Sequence, residues 1–71
     1  MRAYYNLIAK EDGESWSLVF GDYDRSVVVQ EGEDCADSFG WKKKDWKVVC
    51  GSNRDAIDLC NALNQKTALG A

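Results

Sequence analysis

Apolar residues recur along this 71-residue chain in two rhythms. In residues 2–10 and 15–21 they are dense and rich in aromatic side chains, and Asp12 with Gly13 between them is a preferred pair for a type I′ turn. A hairpin closed on that pair sets Ala9 opposite Trp16, Leu7 opposite Leu18 and Tyr5 opposite Phe20, one apolar face whose register a one-residue slip would destroy. The other face pairs Lys10 with Ser15, Ile8 with Ser17 and Asn6 with Val19, a mixed and wetter set. Residues 22–38 fit two templates. Val27, Val28 and Val29 favour a strand through β-branching, whereas Asp24 suits a helix N-cap and Val28, Cys35 and Phe39 fall near one helical face. Gly32 weakens a helix by roughly 1 kcal/mol relative to alanine but does not forbid it. A hairpin also needs a cover for the apolar face that holds Trp16 and Phe20. The pattern therefore predicts a helix over 25–37, with a strand as the alternative.

Residues 39–45 form a basic connection. From Trp46 to Cys50 the pattern alternates, Trp46, Val48 and Cys50 on one side and Lys47 and Val49 on the other, which predicts a third strand. Gly51 breaks it, and Ser52 with Asp55 three residues later is a helix-start signal. Ala56, Ile57, Leu59, Cys60 and Leu63 then mark an amphipathic helix to about residue 65, with 65–71 expected to fray. The predicted fold is α+β, of order β-β-α-β-α. It is a layer pair in which a three-stranded antiparallel sheet packs against two helices, one domain spanning residues 1–71.

Composition narrows the class of activity. Hydrophobic residues make up 45% and charged residues 30%, the balance of a globular chain. No apolar run approaches the roughly 18 residues of a membrane span, and no stretch has signal-peptide character, so a cytoplasmic protein is expected. Histidine is absent, which removes the usual general base and any Ser-His-Asp or Cys-His nucleophile. The six glycines form no phosphate-cradling loop, and the cysteines at 35, 50 and 60 form no C-x-x-C pair. No cofactor, metal site or catalytic residue is therefore expected, and the chain reads as a non-enzyme. Cys50 and Cys60 read as small buried hydrophobes. Cys35 sits among Glu33, Asp34 and Asp37, whose charge disfavours a thiolate. Three reduced thiols are the expectation.

Formal charge is −3, but its distribution is uneven. Residues 11–37 carry nine acids against one base, Arg25, whereas residues 38–71 carry six bases against three acids. The acidic segment, Asp22, Tyr23, Asp24, Glu31, Glu33, Asp34 and Asp37, is the candidate protein-binding face for a basic host protein or ribonucleoprotein surface. Trp41, Lys42, Lys43, Lys44 and Lys47 are the alternative, a nucleic-acid patch with lysines on phosphates and an indole on a base. Nucleic acid is the weaker partner, because the whole chain is acidic and has no arginine cluster. Tyr4, Tyr23 and Trp41 are candidate aromatic anchors, and a homodimer through an open sheet edge is the structural alternative.

Residues 16–25 (WSLVFGDYDR), followed by a valine- and acid-rich segment, resemble small proteins encoded in tailed-phage (prophage) genomes. Residues 45–49 and 56–64 are similar to the same proteins' later strand and terminal helix. The resemblance implies a distinctive strand-to-helix corner at residues 21–25 and carries no activity with it. A phage origin implies a small acidic inhibitor of a host complex, of the anti-CRISPR kind, acting in an infected bacterium.

Overall fold

The structure, a computed structural model, describes residues 3–10 and 15–70, the last four in backbone only. Strand β1 is Tyr5–Ala9, β2 is Ser17–Asp22, helix α1 is Arg25–Phe39, β3 is Trp46–Cys50 and α2 is Asn53–Gly70, with a short 3-10 turn at Lys43–Asp45 before β3. The α+β fold and its element order are those expected. The three strands form one antiparallel sheet in the order β2-β1-β3.

The central position of β1 sets the layering. Leu7 and Ile8 are both completely buried, and consecutive strand side chains point to opposite faces. Both faces of the sheet must therefore be covered. On the Leu7 face lies α1, packed so closely that a Cβ at Gly32 would strike the Trp46 ring and come within 3.1 Å of Leu7 Cδ1. On the Ile8 face lies α2, where Ile8, Trp16, Ala56 and Cys60 form a cluster flanked by Leu18, Val49, Leu59 and Leu63. The architecture is helix–sheet–helix rather than the expected layer pair. The face that reads from sequence as the wetter one is a core.

The hairpin register also departs from expectation. Leu7 pairs with Phe20, Tyr5 with Asp22, Ile8 with Leu18 and Ala9 with Ser17, with a bulge between the two halves. The extra residue, Val19, flips the pleat, so that Leu18 joins the α2 core while Phe20 lies beside α1. Trp16 and Phe20 thus serve different faces, not a common one. The turn expected at Asp12 and Gly13 lies outside the described residues.

Local chemistry explains the boundaries. Asp24, in extended backbone, accepts a hydrogen bond from Ser26 N–H at 2.9 Å and caps α1, so residues 27–29 are helix and not strand. Gly40 ends α1 in the left-handed region (φ 74°) and donates to Ala36 O. That stop falls two residues beyond the predicted end, and Phe39 is 70% exposed instead of sharing the buried side of Val28. Ser52 and Asp55 cap α2 reciprocally: Asp55 N–H donates to Ser52 Oγ and Ser52 N–H to Asp55 Oδ2, each at 3.2 Å. Helix α2 runs on through Gly70, past the predicted end. Asn6 is fully buried and donates from Nδ2 to Gly51 O at 2.9 Å, tying β1 to the turn between β3 and α2. Asn64 accepts from Trp16 N–H at 2.6 Å and donates to Trp16 O at 3.1 Å, clasping the start of β2 against α2.

Gly32 supplies a sharp test of this packing. Helix propensity alone favours Gly32→Ala by roughly 1 kcal/mol. The added methyl has to displace the Trp46 ring, and overpacking of this kind costs about 1–3 kcal/mol. Urea unfolding is expected to show a lower midpoint for the variant. A raised midpoint would mean that α1 can lift off the sheet without penalty.

Candidate functional site

The acidic segment divides into two parts. Asp22 and Asp24 serve the corner that launches α1. Asp22 Oδ1 accepts from Asp24 N–H at 2.8 Å, and Asp24 Oδ1 accepts from Ser26 N–H. Tyr23, between them, sets its ring edge-on to Tyr4 with centroids 4.8 Å apart, although more than half of its surface is exposed. These three build the turn expected at residues 21–25. Glu31, Glu33, Asp34 and Asp37 belong to α1 itself. At 3.6 residues per turn they span about 160° of the helix circumference, opposite the side that carries Val28 and Gly32. Glu33, Asp34 and Asp37 are exposed, and Glu31 is half-buried. The structure therefore brings four of the seven candidates together and assigns three to the corner.

Beside that face runs a shallow groove of about 390 Å³ between β2 and α1, lined by Phe20, Ser26, Val27, Gln30, Glu31 and Asp34. Val27, Gln30, Glu31 and Asp34 follow the i, i+3, i+4, i+7 spacing of one helical ridge. Phe20 and the 42%-exposed Val27 make its apolar wall, and Glu31 and Asp34 its acidic rim. Gln30 Nε2 donates to Asp34 Oδ1 at 3.1 Å, holding that carboxylate in place along the ridge. Phe20, Ser26, Val27 and Gln30 are absent from the set expected on charge alone. The helical spacing contains the signal for Val27 and Gln30, whereas Phe20 reaches the groove only through the bulge at Val19.

The alternative set also divides. Trp41 is half-buried and packs against Phe39 with centroids 5.7 Å apart, an aromatic pair at the C-terminal end of α1. Lys42, Lys43 and Lys44 are exposed, and their turn is closed by Lys42 N–H to Asp45 Oδ2 at 3.2 Å and Asp45 N–H to Lys42 O at 2.8 Å. Lys47 does not join them. Its ammonium lies 5.0 Å from the Trp16 ring centroid on the α2 side, with Lys10 at 5.6 Å from the same ring. Trp46 is half-buried, beneath α1.

Among the described residues no group of three or more Cys, Asp or Glu side chains is placed to hold a metal ion, and no helix is long and apolar enough to cross a membrane. Cys35, Cys50 and Cys60 are all outside any disulfide. Cys60 is buried in the α2 core as expected, and burial pushes its thiol pKa above the ordinary value. Cys50 contradicts its expected burial. It ends an edge strand and is exposed.

This contrast predicts selective alkylation. In the native protein iodoacetamide is expected to modify Cys50 and to spare Cys60 until the chain is unfolded, as read by peptide mass spectrometry. The sign of the pH effect follows from the raised pKa. Below the ordinary thiol range Cys60 is neutral in both states, and above it the unfolded chain ionises first, so this residue lowers stability as the solution becomes alkaline. Rapid native modification of Cys60 would contradict the placement of α2.

Compared with protein-family models, with curated proteins and with solved structures, the chain finds no match.

Proposed function

We propose that this is a non-enzymatic binding protein whose acidic α1 face docks on a basic surface of a host protein or ribonucleoprotein complex. Docking would block or modulate that complex by steric and electrostatic occlusion. One observation carries the reading: Glu33, Asp34 and Asp37 are exposed on one side of a single helix, with the half-buried Glu31 at its margin. Their placement owes nothing to the helix dipole. The first turn of α1 holds no acid, whereas Asp37 lies in the last turn, where the macrodipole disfavours a carboxylate by about 0.3–1 kcal/mol. The resemblance to tailed-phage proteins supplies the context, an anti-defence inhibitor of the anti-CRISPR kind working in the cytoplasm of an infected bacterium.

A second reading, a nucleic-acid accessory protein, is favoured by the Phe39–Trp41 pair beside Lys42, Lys43 and Lys44. Those lysines are also accounted for as exposed members of the short turn that Asp45 closes. A homodimer through a sheet edge is the third; the bulge blunts β2, leaving β3 as the more regular edge.

Replacing Glu31, Glu33 and Asp34 together by lysine is expected to abolish capture of the partner in pull-downs from the native host. Solvent-side helix substitutions of this kind shift stability by at most about 0.5 kcal/mol each, so the variant is expected to stay folded with a thermal midpoint lowered by no more than roughly 10 °C. Undiminished capture by the triple variant would reject the acidic-face reading. A nucleic-acid filter-binding titration with a steep negative salt slope would favour the second reading, and light scattering reads the third directly.

A further inference from the structure

Resting on the acidic-face reading, we infer that the groove between β2 and α1 is the specificity pocket of that face, and that its occupant is an arginine side chain of the basic partner. The geometry supplies both halves of arginine recognition. Phe20 and Val27 offer an apolar wall for the aliphatic stem and the flat face of the guanidinium. Glu31 and Asp34, one turn apart on the same ridge, offer carboxylates to its fixed fork of donors. Gln30 keeps the Asp34 carboxylate oriented through its 3.1 Å hydrogen bond. At about 390 Å³ and open to solvent, the groove lies at the small end of ligand sites and suits a side chain better than a cofactor. Charge complementarity selects a cation, and the apolar wall selects a cation with a flat, weakly hydrated head. Lysine, a compact and strongly hydrated charge, fits the rim but gains less from the wall.

Two charge-matched variants separate a pocket from a diffuse field. Glu31→Gln with Asp34→Asn removes the rim charge, and the new carboxamide retains an oxygen for the Gln30 amide. Glu33→Gln with Asp37→Asn removes the same charge from positions of the same helix that lie outside the groove. Binding of a fluorescein-labelled oligoarginine peptide, measured by anisotropy at near-physiological salt, is expected to weaken about tenfold for the rim variant and less than about twofold for the control. Val27→Ser, which changes no charge, is expected to weaken it about threefold, and an oligolysine peptide of equal length should bind more weakly than oligoarginine. Circular dichroism melts confirm that the variants fold.

Equal losses from the two charge variants, with Val27→Ser silent, would overturn the pocket and leave the acidic face as a diffuse field. No binding of oligoarginine by the unaltered protein would also overturn the pocket, while the host pull-down continues to decide the acidic-face reading. Equal affinity for oligolysine and oligoarginine would overturn the assignment of arginine.

Discussion

Everything in this fold depends on burying both faces of a sheet only three strands wide. A chain of 71 residues has little interior to spend, and β1 lies at the middle of it. Leu7 and Ile8 are adjacent, completely buried and directed oppositely, so each helix is anchored by one of them. Full burial of each such side chain is worth about 1.5–3 kcal/mol, a large share of the stability expected of a small domain. Neither helix is dispensable under that constraint. Removing α2 would expose Ile8 and Trp16, and removing α1 would expose Leu7 and Trp46.

The bulge at Val19 is how the sequence of β2 meets that demand. Leu18 and Phe20 would share a face in a regular strand; the inserted residue sends them to opposite sides. The consequence at the surface is Phe20, which reaches the flank of α1 and becomes the apolar wall beside Glu31 and Asp34. A core-packing requirement on one face thus shapes a surface feature on the other. The α1 side of the groove is set by a separate contact, since Gly32 seats α1 directly on Trp46 and Leu7.

Much of the architecture is legible along the chain. The alternation of Trp46, Val48 and Cys50 marks the third strand, and the Ser52 and Asp55 pair marks the start of α2, because both signals act within a few residues. Asp24 likewise marks the start of α1, and its cap together with the burial of Val28 and the seating of Gly32 on the sheet prevails over the β-branching of Val27, Val28 and Val29. What the local pattern misses is non-local. A two-residue turn would by itself set the register, but the pairing answers to which side chains each helix must cover. Alternation alone makes Cys50 a buried residue, and its exposure follows from ending a strand at the sheet edge, a position that no local pattern reveals. For the candidate site, the ridge through Glu31 and Asp34 is present as helical spacing. Its partner across the groove depends on the bulge.

The two charged regions invite the same question, which structure answers differently for each: what would the fold lose without them? Asp22 and Asp24 hold the corner and cap α1, so their charge has a local reason. Lys42, Lys43 and Lys44 are exposed in a short turn that Asp45 closes. For Glu31, Glu33, Asp34 and Asp37 on α1 the corresponding gain is small: Asp34 accepts from the exposed Gln30 amide one turn away. Clustered carboxylates repel one another, and the last of the four opposes the dipole. Solubility alone would be served equally well by acids spread over both helices. A set that spans nearly half of the α1 circumference, beside an apolar wall and away from the favourable end of its helix, is left without a full account in the helix itself, and that remainder is what the proposed docking role would supply.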